Sequence, residues 1–220
     1  MYKKHLKRIL DILISTVGII LLAFPMLIVA AIIKADSPGP VFFKQRRVGI
    51  NKKEFIMLKF RSMPVSAPKE VATHLLDVDA VHMTSFQKAI RKFSVDELPQ
   101  LYNVWIGQLS LVGPRPCLFS QTDLIEERDK YGANDVKPGI TGWAQINGRD
   151  ELEISVKAKY DGEYVAALNQ GSLSGFIMDL KCFFGTFLSV FRSSGVVEGG
   201  TGELKKQSKN EEKESSGRLN

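Results

Sequence analysis

Residues Ile9–Ile33 read ILDILISTVGIILLAFPMLIVAAII, an apolar run interrupted only by Asp11 and the small polar Ser15 and Thr16. At a rise of ~1.5 Å per residue, about 25 helical residues reach the ~30 Å hydrocarbon thickness of a bilayer. A signal peptide has a shorter apolar core and a small-residue cleavage site, and Lys34-Ala35-Asp36 is a poor one. A buried core helix is a further alternative, against which the uniformity of the run argues. Lys3, Lys4, Lys7 and Arg8 precede the run, and Lys34, Lys44, Arg46 and Arg47 follow it. Positive charge marks the cytoplasmic side of a membrane segment, and here both ends carry it. Pro25, near the middle, removes a helix hydrogen bond and clashes with the preceding turn. Together these features predict a re-entrant helix that bends at Phe24-Pro25 and returns to the face it entered. A straight span with a tolerated proline is the competing reading.

Outward from this run, the 220-residue chain has room for one domain with a real core. Its 44% hydrophobic and 25% charged content excludes wholesale disorder. A net charge of +6 favours anionic partners without choosing among phosphates, nucleic acid and acidic lipid. Cys117 and Cys182 are the only cysteines and stand in no metal-ligand spacing, which argues against a disulfide scaffold or a zinc site and fits a reducing compartment.

The expected organisation is a membrane helix over 1–35, a compact cytosolic domain over 36–197 and a disordered tail over 198–220, rich in Gly, Lys, Glu and Ser. Ser37-Pro38-Gly39-Pro40 is a rigid turn between the first two. Val41–Phe43 and Glu54–Phe60 read as strands turning at Asn51-Lys52-Lys53, and 64–85 as an irregular excursion. Helical patterns fall at 86–92, 97–107, 120–131 and 151–167. The fold class is therefore α+β, mainly helical with a small sheet. Phe176, Phe183, Phe187 and Phe191 share one helix face. With Lys181 and Arg192 reaching headgroups, this is an amphipathic helix lying in the membrane interface; a core-facing helix is equally open.

Phosphate chemistry is the theme of the polar residues. Lys59 and Arg61 project from one face of a strand and would repel each other unless an anion neutralised them; an exposed basic face is the plain alternative. In Ser94-Val95-Asp96-Glu97, Ser with Glu three residues later is a capping box that announces a helix, although Pro99 favours moving the cap to Asp96. Either way, adjacent carboxylates sit at the positive end of a helix, with Arg91 just upstream. One could attack phosphorus while the other holds a divalent cation; both could equally just complement the helix dipole. After the strand Leu109–Val112, Pro114 and Pro116 fix the backbone around Arg115 and aim its guanidinium. Contact with phosphate and capping of a helix C-terminus are both open to it. Asn147-Gly148-Arg149 is a tight turn displaying another Arg, and Trp143 either stacks on a base or packs in the core. A Walker loop, a dinucleotide glycine fingerprint and a zinc helix are absent, and His5, His74 and His82 form no pattern.

Six segments in order carry a resemblance: the basic start with its proline-broken apolar run; Ser37-Pro38-Gly39-Pro40 with Lys44-Gln45-Arg46; Lys59-Phe60-Arg61-Ser62-Met63; Asp96-Glu97-Leu98-Pro99-Gln100-Leu101; Ser110-Leu111-Val112-Gly113-Pro114-Arg115-Pro116; and Pro138-Gly139-Ile140-Thr141-Gly142-Trp143. The chain resembles the bacterial sugar transferases, the small monotopic phosphoglycosyl transferases that initiate glycan assembly on a polyprenyl carrier. The resemblance implies transfer of a sugar 1-phosphate from a nucleotide sugar, usually a UDP-sugar, to undecaprenyl phosphate with release of UMP. This would be the first membrane step of polysaccharide or glycoprotein glycan biosynthesis. It further implies that Asp96 is the nucleophile of a covalent phosphosugar intermediate and that Glu97, with Asp96, holds Mg²⁺. Lys59, Arg61, Arg91, Arg115 with its flanking Pro114 and Pro116, and Arg149 would contact substrate. The implied setting is the cytoplasmic face of a bacterial inner membrane, with an N-acetylated or deoxy amino sugar as the expected donor and a hexose open. The resemblance also admits a homodimer, and it leaves the role of Asp161 unassigned. Many relatives place Ser before the helix-breaking Pro, where its hydroxyl can bond a freed carbonyl; Phe24 cannot. A non-enzymatic membrane-anchored protein binding anionic lipid is the alternative function, and it leaves the Asp96-Glu97 pair without a task. Nucleic-acid binding rests on charge alone and is not expected.

Overall fold

The computed structural model describes residues 2–67, 83–148 and 152–192. The expected tail, Arg149 and most of the 64–85 excursion lie outside the described residues, as do the side chains of Phe191 and Arg192.

A short π-helix, Tyr2–Leu6, leads into α1, Lys7–Asp36, which runs as one helix with Pro25 inside it. Among the described residues, the helix formed by Tyr2–Asp36 alone is long and apolar enough to cross a membrane. Its polar interruptions are its inward groups. Asp11 accepts hydrogen bonds from Ser110 Oγ at 3.1 Å and from the Leu111 N–H at 2.9 Å. Ser15 is fully buried, and Gly18 lies against Leu101. At the far end Ile33 packs with Phe60 and Ile90. The helix thus rests on the domain at its start, middle and end, while Leu13, Ile20, Leu21, Phe24 and Leu27 stay exposed.

The last carbonyls of α1 need donors. Arg61 supplies one from inside the protein, Nη2 donating to Ile33 O, and holds the turn that follows, with Nη2 donating to Ser37 O and Nη1 to Pro38 O. Gly39 (φ +126°) makes room for this cap, since a Cβ there would sit 2.0 Å from Arg61 Nη1.

Strands β1 (Phe42–Val48) and β2 (Glu54–Phe60) form an antiparallel hairpin, pairing Phe43 with Lys59 and Arg47 with Phe55. β1 outruns the expected Val41–Phe43 because alternation continues through its polar half. Period-2 geometry puts Phe43, Gln45 and Arg47 on the same face as Phe55, Met57 and Lys59, and that face meets the domain. A second sheet pairs β3 (Ser110–Val112) in parallel with β4 (Gly139–Thr141). The loops beyond these strands lie closer than side chains allow: a Cβ on Gly142 would be 2.1 Å from Gly113 O.

The remaining helices are α2 (Ser85–Lys92), α3 (Gln100–Trp105), α4 (Thr122–Asp129), α5 (Trp143–Ile146), α6 (Ile154–Gln170) and α7 (Ser172–Arg192). Three of the expected helical patterns fall on α2, α4 and α6. The pattern at 97–107 gives only the short α3, while α5 lies outside the expected helical patterns. α6 buries Tyr164, Val165 and Leu168 in a core with Tyr2, Val112 and Cys182, and Ala158 in a second one with Val48, Cys117 and Leu124. α7 reverses the usual amphipathic order. It turns Gly175, Asp179 and Cys182 inward and leaves Leu173, Phe176, Phe184, Phe187 and Leu188 exposed. The plain core-facing reading of this helix is therefore not realised.

Candidate active site

The capping box expected at Ser94 and Glu97 forms instead at Thr84 and Gln87, where α2 begins. Ser94 adopts a left-handed conformation (φ 55°) and caps nothing through its side chain. Glu97 has stronger partners than a backbone N–H. Its Oε1 lies 3.0 Å from Lys59 Nζ and 2.5 Å from Arg115 Nη2, and its Oε2 accepts from Arg115 Nη1 at 3.3 Å. The two carboxylates occupy a 3-10 turn, Val95–Glu97, ahead of α3 rather than the first turn of a long helix.

Asp96 is only 6% exposed, and its Oδ2 accepts a 3.1 Å hydrogen bond from Ser62 Oγ. Burial pushes its carboxyl pKa up; Lys59 and Arg91 oppose this, and Glu97 adds to it. Burial likewise pushes the Lys59 ammonium down, against the pull of Glu97. Beside them, Arg47 Nη2 donates to Gln45 Oε1 at 2.6 Å and Nη1 to Pro116 O at 3.0 Å. Its pKa is pushed down to about 10, first by burial and then by the charge of Arg115. Four cations, Arg47, Lys59, Arg91 and Arg115, thus surround two carboxylates, an excess that suits a polyanionic ligand.

The candidates read from the sequence separate accordingly. Asp96, Glu97, Lys59 and Arg115 come together, and Arg91 acts on Asp96 through its charge. Pro114 and Pro116 contribute carbonyls that hold the loop, accepting from the Gly139 N–H and from Arg47. Arg61 performs the helix-capping task weighed for Arg115. Trp143 packs against the core, its Nε1 donating to Glu163. Arg149 lies outside the described residues.

Three residues escaped the sequence reading as site residues. Arg47 is legible afterwards from its alternation with Gln45 in β1. Ser62 stands within a motif but just past the strand. Arg128 has no local signal: its Nε donates to Asp161 Oδ2 at 2.8 Å and its Nη1 to Arg115 O at 2.9 Å, in a buried ion pair that joins α4, α6 and the Arg115 loop.

Residues 2–193 match the family described as bacterial sugar transferase. The chain belongs to this family. Among its relatives, an uncharacterized sugar transferase of Bacillus subtilis, EpsL, is 40% identical over 196 residues, covering 88% of this chain and 91% of that protein. The UDP-glucose:undecaprenyl-phosphate glucose-1-phosphate transferase of Xanthomonas campestris is 39% identical, covering 72% of this chain. The UDP-N-acetylgalactosamine-undecaprenyl-phosphate N-acetylgalactosaminephosphotransferase of Aeromonas hydrophila is 38% identical, covering 73%. This bacterial sugar transferase spans 34% and 39% of the length of the last two.

Proposed function

We propose that the protein transfers a sugar 1-phosphate from a UDP-sugar to undecaprenyl phosphate and releases UMP. The observation that carries this reading is the buried Asp96, hydrogen-bonded by Ser62 beside the Lys59–Glu97–Arg115 cluster. A buried carboxylate is costly, and a protein that only binds lipid has no use for it. An Asp96 oxygen attacks the β-phosphorus, the bond to the bridging oxygen breaks, and UMP departs with that oxygen. The phosphate oxygen of the lipid then attacks the same phosphorus and frees Asp96. Lys59, Arg47 and Arg115 offset the charge of the diphosphate, with Arg115 suited to a two-pronged contact.

Asp96 and Glu97 are adjacent hard oxygen donors. Among the described residues no group of three or more metal-ligating side chains occurs. Two carboxylates suffice for Mg²⁺ when substrate phosphates supply further oxygens, so the donor set fits. Mg²⁺ held there would neutralise developing charge on the leaving phosphate.

The acceptor is a lipid, and the outer surface suits a membrane. α1 rests on the domain at both ends, which supports a helix that enters and leaves the bilayer on one side, the cytoplasmic one by its flanking charges. The outward apolar face of α7 supports contact with the interface. Relatives are named for glucose and for N-acetylgalactosamine, so the donor is to be found by trial. The test is UMP release by purified protein with a panel of UDP-sugars, with and without undecaprenyl phosphate. Lipid-dependent turnover with one donor upholds the reading; its absence with every donor of the panel overturns it.

A further inference from the structure

Away from the Asp96 cluster, and sharing no residue with it, lies a cavity of about 210 Å³. Lys3, Lys4, Lys7 and Arg8 line it from the start of the chain, Lys137 from the segment before β4, and Asp11 and Asp135 complete its charged groups. Five cations thus face two carboxylates. Asp11 is already engaged by Ser110 and Leu111, and Lys7 is paired outside the cavity wall, with Asp179 at 2.6 Å. Lys3 donates to Asn169, and Arg8 to the carbonyls of Val104 and Trp105.

Lys137 differs from these. It has no hydrogen-bond or ion-pair partner among the described residues, and it is half-buried. Burial and the nearby Arg8 charge push its pKa down, the Asp11 carboxylate opposes this, and Lys7 adds to it, so burial and repulsion outweigh the one nearby counter-charge. A cation in that position is completed by an anion. Phosphate, a compact polyanion with several acceptor oxygens, matches a ring of ammonium and guanidinium donors.

The cavity also has a defined depth. Arg8 ties the start of α1 to the end of α3, where Tyr102, Trp105 and Ile106 are exposed. Tyr2 ties it to α7 by an edge contact with Phe176, the rings 5.7 Å apart. Three exposed apolar surfaces therefore converge where the basic residues begin. Aromatic and basic side chains in this order mark the headgroup layer of a membrane.

The geometry points to a second phosphate-binding site, formed by Lys3, Lys4, Arg8 and Lys137, that takes the phosphate of an anionic lipid at headgroup level. Its placement rests on the membrane-seated reading above. The site needs no chemistry: it would anchor the start of α1 against the segment that leads into β4. Headgroup phosphate and free phosphate share the recognising chemistry, and the experiment separates them.

The 220-residue chain is reconstituted into phosphatidylcholine nanodiscs, with or without phosphatidylglycerol, and retained lipid is counted by native mass spectrometry. The wild type is expected to hold one phosphatidylglycerol in preference to phosphatidylcholine. Lys137→Gln should weaken that retention by about fivefold per lost charge, with an unchanged melting temperature, and Lys137→Arg should preserve it. Displacement by millimolar inorganic phosphate would assign the site to free phosphate; resistance would assign it to lipid. Equal retention in wild type and Lys137→Gln overturns the site. Failure to enter phosphatidylcholine nanodiscs at all overturns the membrane reading beneath it, and the two failures are thereby distinct.

Discussion

Arg128 Nη1 donates a 2.9 Å hydrogen bond to the carbonyl oxygen of Arg115, so a buried cation on α4 fixes the backbone from which the Arg115 guanidinium reaches Glu97. Arg128 is in turn held by Asp161, with Nη2 2.6 Å from Oδ2. On the proposed function, Asp161 and Arg128 act as positioning residues for Arg115.

Breaking that pair strands a buried charge. Asp161→Asn is expected to cost about 3–5 kcal/mol of stability and to lower UMP release as the Arg115 loop loosens. In Asp161→Asn/Arg128→Met the stranded charge is gone, so stability should recover in part while activity stays low. Thermal unfolding beside UMP release checks this; recovery of both together would assign the pair a purely structural role.

Burial of the charged Asp96 carboxylate opposes folding. Folding raises its pKa, so the folded state binds the proton more tightly than the unfolded chain. Stability therefore falls as pH rises from the unfolded value, about 3.9, through the higher folded one. The penalty is complete once the pH is above the folded value. Asp96→Asn should remove turnover and raise the melting temperature at pH 7, with the gain shrinking toward pH 4. The kcat/KM of the wild type, which reports the free enzyme, should fall with acid at a midpoint above the ordinary carboxylate range.

Glu97 organises two cations at once. Glu97→Gln leaves Lys59 and Arg115 without their shared counter-charge and should severely impair turnover at saturating Mg²⁺. Arg115→Lys keeps the charge but loses the fork, and a drop of about 10–100-fold in kcat/KM is expected. Steady-state kinetics on both variants checks the assignment, and near-wild-type values would remove it.

The topology of α1 has its own test. Both native cysteines are buried, so Lys4→Cys and Lys34→Cys supply reactive thiols at the two ends. An impermeant maleimide should label both in inverted membrane vesicles and neither in intact spheroplasts. Labelling of one end from each side would mean a span.

Local signals in the sequence made much of this readable. The apolar run, the strand Glu54–Phe60 and the patterns on α2, α4 and α6 follow from periodicity, and Asp96, Glu97, Lys59 and Arg115 stand in motifs. What escaped depends on distant partners. Nothing near Arg61 tells that it will cap a helix ending at Asp36. Nothing near Arg128 announces Asp161, 33 residues away. Ser94 and Glu97 have the spacing of a capping box, but two cations brought in by the fold outbid a backbone N–H for Glu97. The phenylalanines of α7 fix a helix face and not its direction, which depends on the polar side chains Asp179 must meet: Tyr2, Lys7 and Tyr164.

The most direct measurement is the intact mass of the purified protein after exposure to its UDP-sugar and Mg²⁺ without lipid acceptor. The account predicts a gain of one phosphosugar in the wild type, discharged on adding undecaprenyl phosphate and absent from Asp96→Asn. An unmodified wild type that nonetheless turns over when lipid is present, or an adduct that survives in Asp96→Asn, would contradict it.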